Sequence, residues 1–372
     1  MSALFSPLRI GQLDFSNRVF VAPMCQYSGV DGLPSDWHCQ HYGSLAVGGA
    51  GAITLEATAV APEGRITNGC LGLWNDAQAS ALAQLINSLR RLSPTRLGIQ
   101  LSHAGRKASC HPPWAGGEAL AQGGWPIVAP SAIAFGPNRS LPSAMTEADF
   151  EQISQAFEDG ARRALRAGFD YLELHLAHGY LLSSFLSPLA NCRGDRYGGP
   201  LSNRMRFPLE VVSKVRAVWP DSKPLGVRVN AHDWCDGGAG FEDTLALCHA
   251  LKSAGVDFVC VSAGAVVDGT RISATPGYLF EYARRVREAT GMVTRAVGLI
   301  HDSQLAEQAL CDGVADCVAV ARAMLFDPRW ALKAAYLLGE GARFPPQMML
   351  ASPERWPGAE AALSGMRSGT LG

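Results

Sequence analysis

The stretch Glu173-Leu-His175-Leu-Ala-His178-Gly-Tyr180 concentrates more chemistry than any other segment of the chain. It emerges from the apolar run 169–174, which is of buried-strand type. Two imidazoles and a phenol thus gather where a strand gives way to a loop, the place where parallel α/β folds put their chemistry. Spaced three apart, the histidines share a face if the segment turns helically. Neutral imidazole donates one hydrogen bond, which can go to a carbonyl oxygen. Tyrosine, with an ordinary pKa of about 10, stays protonated near neutrality and can release its proton in a transition state. Two donors and an acid suit the polarisation of a carbonyl and protonation of its neighbour. The same residues also fit two other readings: satisfied structural histidines, or a zinc site. For zinc, no His or Cys follows at the spacing of a third ligand.

The elements that must position these groups can be read from periodicity. Short β-branched or apolar runs alternate with longer amphipathic ones. Expected strands are 19–22, 52–57, 97–101, 171–174, 225–229, 258–262, 293–296 and 317–320. Between and after them lie helical patterns near 37–47, 76–92, 147–167, 204–218, 242–254, 279–289, 302–311 and 329–338. Thr146-Glu-Ala-Asp149 has the form of a capping box. Gly168, Gly255 and Gly291 stand where helices should stop. Eight β/α units predict a (β/α)₈ TIM barrel, with a doubly wound open sheet as the rival. No G-x-G-x-x-G opens a helix after the first strand, which favours the barrel. Residues 8–15 look like a hairpin that could plug the barrel's bottom. The Gly-, Pro- and Trp-rich loop 102–145 would overhang the active face. The barrel is read as one domain, residues 1–340, and 341–372 as a C-terminal tail, either an interface element or, in its Gly/Ser/Ala-rich part from Gly358, mobile chain.

Bulk composition bounds the function. Of 372 residues, 48% are hydrophobic and 17% charged, as in soluble globular proteins. A formal net charge of -1 argues against a nucleic-acid partner or an anionic membrane surface. No apolar run approaches the roughly 18 residues of a membrane span, and no secretory leader is seen, so the expected location is the cytoplasm. The ten cysteines include no C-x-x-C pair and are read mostly as reduced, buried thiols.

If the barrel holds, function sits after each strand. There the chain places Pro23, Met24, Cys25, Gln26 and Tyr27; Glu56, Ala57 and Thr58; Gln100, His103, Arg106 and Lys107; then Arg228. The last two strands end in Val297-Gly298-Leu299 and Val320-Ala321-Arg322. Backbone amides after those strands form the usual barrel phosphate site, and Arg322 can clamp a phosphate bidentately. Arg228 adds a cation, and Gln100 offers donor and acceptor to a heteroaromatic edge. Together they describe a flat, hydrogen-bonding, phosphate-bearing cofactor.

The motifs Pro23-Met-Cys-Gln-Tyr27, Glu56-Ala-Thr58, Gln100-x-x-His-Ala-Gly-Arg-Lys107, His175-x-x-His178-Gly-Tyr180, Asp195-x-Tyr-Gly-Gly199 and Asn203-Arg204 resemble the Old Yellow Enzyme family, nearest its thermophilic-like, xenobiotic-reductase branch. The likeness covers about residues 3–340. It implies a (β/α)₈ barrel, non-covalent FMN, NADPH or NADH as reductant, and reduction of activated alkenes. By the resemblance, Pro23, Met24, Cys25, Ala57, Gln100 and Arg228 line the isoalloxazine and ribityl chain, and Gly298, Leu299, Ala321 and Arg322 hold the phosphate. His175 and His178 bind the substrate's carbonyl or nitro oxygen, Tyr180 protonates the α-carbon, and Tyr27 reaches the same pocket. Cys25 would tune flavin potential and substrate fit. Expected substrates are enones, maleimides, quinones and nitro compounds, and the expected assembly is a homodimer or homotetramer.

The chain departs from that pattern in three places. Ala321 stands where the family often has Gly. Arg295-Ala-Val297 offers no large aromatic beside the flavin. The branch's terminal Tyr-x-Arg segment is replaced by Pro345-Pro-Gln-Met-Met-Leu350, with Arg355-Trp356 later. Rival functions are an iron–sulfur dienoyl reductase, for which no cysteine follows Cys317, a zinc-dependent barrel hydrolase using His175 and His178, and an FMN-binding protein without turnover.

Overall fold

Eight strands read as near-continuous apolar runs, which is what a sheet covered on both faces demands. In the computed structural model, which describes residues 2–364, they close into a parallel barrel. In chain order they are Val19–Val21, Ala52–Ala59, Arg96–Ser102, Tyr171–Leu176, Leu225–Asn230, Phe258–Ser262, Val293–Ala296 and Cys317–Val320. Each pairs with the next, and the eighth returns to the first through Val318↔Val19 and Val320↔Val21. Helices follow the strands and pack their apolar faces outside the barrel, so the expected TIM barrel is the observed fold.

The expected element ends hold within a few residues. Thr146 and Asp149 form the capping box, with Asp149 accepting from the Thr146 backbone N–H at 2.7 Å. The pattern 204–218 divides into a turn, Leu201–Arg204, and a helix, Arg206–Val218. Two short helices were not foreseen: Leu181–Leu186 after Tyr180, and Arg322–Phe326 after the eighth strand. Both are too short to show a full amphipathic period. Within 102–145 the chain makes two 3₁₀ turns and a pair of two-residue strands. Past 340, Pro346–Ala351 is a 3₁₀ turn and Ala359–Ser364 a helix, in keeping with the helix preference of alanine. Trp356 lines a cavity of about 400 Å³ together with Leu332 and Tyr336 of its own chain. Residues 365–372, part of the stretch expected to be mobile, lie outside the described residues.

The barrel interior is built in two layers. At the strands' N-terminal ends, Phe20 and Tyr171 meet Phe15 from the antiparallel hairpin of Leu8–Ile10 and Leu13–Phe15, and Phe258 meets Tyr171. Phe15 is 1% exposed, so the hairpin does plug this end. Gly98 and Gly226 make the plug possible: a Cβ on either would lie about 2 Å from the ring of Tyr171 or Phe258. Above the rings sits a buried ion pair between Arg295 of the seventh strand and Glu173 of the fourth. The guanidinium lies over Phe20 and Phe258, at 5.4 and 5.2 Å. Gln100 Nε2 donates to the other Glu173 oxygen at 2.7 Å, and Thr54 Oγ1 and the Tyr171 hydroxyl are 2.8 Å apart.

Removing one partner of a fully buried pair strands the other's charge, which costs about 3–5 kcal/mol. Arg295→Met should therefore lower unfolding stability in denaturant by that amount, and Arg295→Met with Glu173→Leu should recover most of it. A single variant as stable as the parent would show that the pair carries no such constraint.

Candidate active site

His175 is the penultimate residue of the fourth strand. Beyond it the chain does not turn helically, as the three-residue spacing had allowed. His178 and Gly179 take left-handed backbone conformations (φ 60° and 69°), which fold the second imidazole back onto the first. His178 Nδ1 lies 3.2 Å from His175 Nε2, with the rings nearly perpendicular. The Ala177 N–H donates to His175 Nδ1 at 3.2 Å. That acceptor role leaves the proton on His175 Nε2, which donates to His178 Nδ1. His178 Nε2–H in turn donates to Ser262 Oγ at 2.7 Å. Ser262, at the end of the sixth strand, also accepts from Arg228 Nη2 at 3.0 Å. Asn230 holds the turn by accepting the His178 N–H at 3.0 Å and donating to the Gly264 carbonyl at 3.0 Å.

Burial first, and then the Arg228 cation, hold both imidazoles well below their ordinary pKa of 6.5. Both are therefore neutral at physiological pH. Their facing nitrogens are committed to each other, and no group of three His, Cys, Asp or Glu among the described residues could hold a metal. The zinc-hydrolase reading has no ligand set.

Tyr180 presents its ring to the edge of His175, centroids 4.9 Å apart. It packs with Cys25, Tyr27 and Trp125 onto a small separate core of Ile66, Cys70, Ala104, Ala108, Cys110 and Ile127. Burial pushes the Tyr180 phenol well above 10. It pushes the Cys25 thiol well above 9, helped by the nearby Glu56 carboxylate. Cys25 is thus a neutral thiol rather than an activated nucleophile. Tyr27 has a left-handed backbone (φ 49°) and meets Trp114 edge-on at 5.6 Å. Beneath this loop, Glu56 accepts from the Gln26 N–H at 3.0 Å and the Tyr42 hydroxyl at 3.2 Å, and lies 3.3 Å from His38 Nε2.

A cavity of about 1250 Å³ runs from His178, Arg228 and Ser262 to Gly298, Leu299 and Arg322. Ala22 and Ala321 also line it; Pro23, Met24 and Cys25 continue the chain from Ala22. His175, Tyr180, Tyr27, Ala57 and Gln100 are not on its wall, and Gln100 turns its amide N–H into the barrel toward Glu173. Gly298 (φ 128°) takes a backbone conformation that L side chains rarely adopt. Arg322 opens the short helix after the eighth strand.

The residues present fit a phosphorylated flavin. Arg228 Nε is buried without a partner, and a second guanidinium, Arg322, stands at the end where a barrel binds phosphate. The volume takes a ligand larger than most drug-sized molecules. Ser262 and Asn230 were missed in the sequence because neither belongs to a recognisable motif; only their place at a strand end could have singled them out.

Fold and site together define a flavin-binding barrel oxidoreductase. The family model for NADH:flavin oxidoreductases and NADH oxidases matches residues 3–340. The chain belongs to this family, that of Old Yellow Enzyme. It is 43% identical over 348 residues to the NADPH dehydrogenase of Geobacillus thermodenitrificans (strain NG80-2), covering 93% of this chain and 97% of that one. Among solved structures it is similar to morphinone reductase, with TM-score 0.76 and 27% identity, covering 95% and 92% of the two chains. It is also similar to a complex of 2-naphthoyl-CoA reductase with 2-naphthoyl-CoA, with TM-score 0.81 and 25% identity, covering 91% of this chain and 52% of that one. The protein is an FMN-dependent oxidoreductase that takes electrons from a nicotinamide.

Two outcomes follow. Arg322→Ala should raise the FMN dissociation constant at least tenfold, since a charge-assisted bond to phosphate is among the stronger kinds; equal flavin retention by dialysed wild type and variant would exclude that role. His175, His178 and His103, the last held down to about 4 by burial, take up protons more readily when unfolded. The contribution of these rings to stability should be full above pH 6.5 and fall below it, by up to about 1.4 kcal/mol per pH unit for each ring. Thermal melts that stay flat from pH 7.5 to 5 would contradict this.

Proposed function

We propose that the protein reduces the C=C bond of activated alkenes, such as enones, maleimides and quinones, and also accepts nitro compounds. The observation that carries this reading is the neutral His175–His178 pair held beside Tyr180, with His178 on the cavity wall. FMN, when bound, supplies the hydride for the alkene's β-carbon. The relatives' name, NADPH dehydrogenase, favours NADPH as the electron source.

The residues' parts follow from charge. Addition at the β-carbon builds negative charge on the substrate's carbonyl oxygen. Donors fixed where that charge develops lower the barrier. His178 offers an N–H group there: an arriving oxygen can take the Nε2–H now given to Ser262, while His175, whose own Nε2–H goes to His178 Nδ1, holds that ring in the donating tautomer. Their neutrality matters: an N–H donor is supplied without the desolvation cost of a buried imidazolium. Tyr180 then gives its phenolic proton to the α-carbon. The apolar cluster under Tyr180, with Cys25, Tyr27 and Trp125, keeps bulk water from competing as the proton source. Arg228, Gly298, Leu299, Ala321 and Arg322 hold the ribityl and phosphate portions, while Pro23, Met24, Cys25, Ala57 and Gln100 face the ring system.

Rapid-mixing kinetics test the assignment. Tyr180→Phe should leave reduction by NADPH intact and slow enone turnover in the oxidative half-reaction by about 10²-fold or more. His178→Ala should weaken phenol binding and slow the same half-reaction by about 10²–10³-fold. Variants that match wild type in both half-reactions would remove these residues from the mechanism.

A further inference from the structure

Lys107 is a half-buried lysine that the roles above leave unused. It closes the 3₁₀ turn Gly105–Lys107 after the third strand. Its Nζ donates to the His178 carbonyl at 2.8 Å and the Ala265 carbonyl at 3.2 Å. Both acceptors belong to left-handed residues, His178 at φ 60° and Ala265 at φ 63°, on the loops after the fourth and sixth strands. One side chain therefore ties together the two loops that carry His178 and follow Ser262. The same Nζ stands 5.0 Å from the centre of the Tyr180 ring and 4.5 Å from that of Phe135.

The surroundings give this ammonium no close counter-charge. Its hydrogen-bond acceptors are carbonyls. The charged or titratable groups that act on it are Arg139 and Arg106, which oppose its charge, and Asp268 and the Cys110 thiol, which favour it; His175 and His178 feel it in turn. An anion formed on Tyr180 would be stabilised by a cation already in place. Such an anion must form: as the Tyr180 O–H bond breaks and the substrate's α-C–H bond forms, the phenol oxygen keeps the electron pair until water returns a proton. In a buried pocket that phenolate is costly, and a preorganised charge acts there most strongly.

We propose that Lys107 is a positioning residue for proton delivery, holding a cation against the Tyr180 ring, where it stabilises the developing phenolate. The inference rests on the reading of Tyr180 as the acid. Burial and the two arginines hold the amine down to about 7, so its charge is lost as the pH rises through neutrality. The two imidazoles stay neutral and the phenol protonated over that range.

The test is the oxidative half-reaction of the FMN-loaded enzyme with 2-cyclohexenone, followed from pH 6 to pH 9. The wild-type rate should fall by about tenfold across pH 7–8, a size within reach of a desolvated cation–π and charge interaction. Lys107→Arg, whose guanidinium stays charged, should keep the low-pH rate to the end of the range. Lys107→Met should be slow at every pH with the enone, yet reduce benzoquinone, which can be protonated on oxygen from solvent, at close to the wild-type rate. A flat wild-type profile, or a Lys107→Met loss equal for both acceptors, overturns the proposal, and the first of these needs no variant to fold. Tyr180→Phe run in parallel separates the two readings. If it reduces the enone at wild-type rate, the acid assignment itself fails; if it is slow while Lys107→Met is not, only the role of Lys107 fails.

Discussion

A salt bridge that never meets water sets the geometry of this barrel. Glu173 and Arg295 face each other across the interior from the fourth and seventh strands, both fully buried. Charges in that setting are tolerable only when paired. Gln100 and the rings of Phe20 and Phe258 supply the rest of the environment, and Arg295 Nε is left without a hydrogen-bond partner. Below, the aromatic plug fixes the strands' starting ends; above, the strands diverge into the loops that carry chemistry. Glu173 lies two residues before His175, so the carboxylate and the imidazole share one face of the strand. The pair thereby fixes the strand from which the His175–Tyr180 segment springs.

From there, exclusion of water does most of the chemical tuning. The same burial holds the imidazoles neutral, keeps the Cys25 and Tyr180 protons in place, and depresses the Lys107 amine. Arg228 links the two ends of the site: one guanidinium nitrogen reaches Ser262 and so the histidine relay, while Nε is left for a ligand. An anionic cofactor bound at Arg228 would thus act electrically on the His175–His178 pair.

Much of this was legible in the sequence. The strands were visible because both-faces-buried strands read as unbroken apolar runs, and the helices because their caps are local. The hairpin and the placing of candidate residues at the strand ends followed from topology. What could not be read was tertiary. The helical spacing of His175 and His178 suggested a shared helix face, whereas a left-handed turn brings the rings together. Gln100 looked like a free contact for the flavin edge, yet one of its two amide N–H groups is given to Glu173. Arg295 was seen only as the absence of an aromatic, although it is the cation on which the interior depends. Ser262 and Asn230 carry no signal beyond their place at strand ends. Short helices such as Leu181–Leu186 fall below the length at which periodicity can speak.

The central claim is that this barrel holds FMN and passes nicotinamide electrons to an electrophilic alkene. The most direct measurement is the visible spectrum of the purified protein without oxygen, before and after NADPH, and again after 2-cyclohexenone. Flavin bands near about 370 and 460 nm that bleach with NADPH and return with the enone are the predicted result. A protein that neither carries nor takes up FMN would contradict the account at its root. Bands that bleach but do not return with any electron-poor alkene would leave the flavin site standing and refute the proposed reaction.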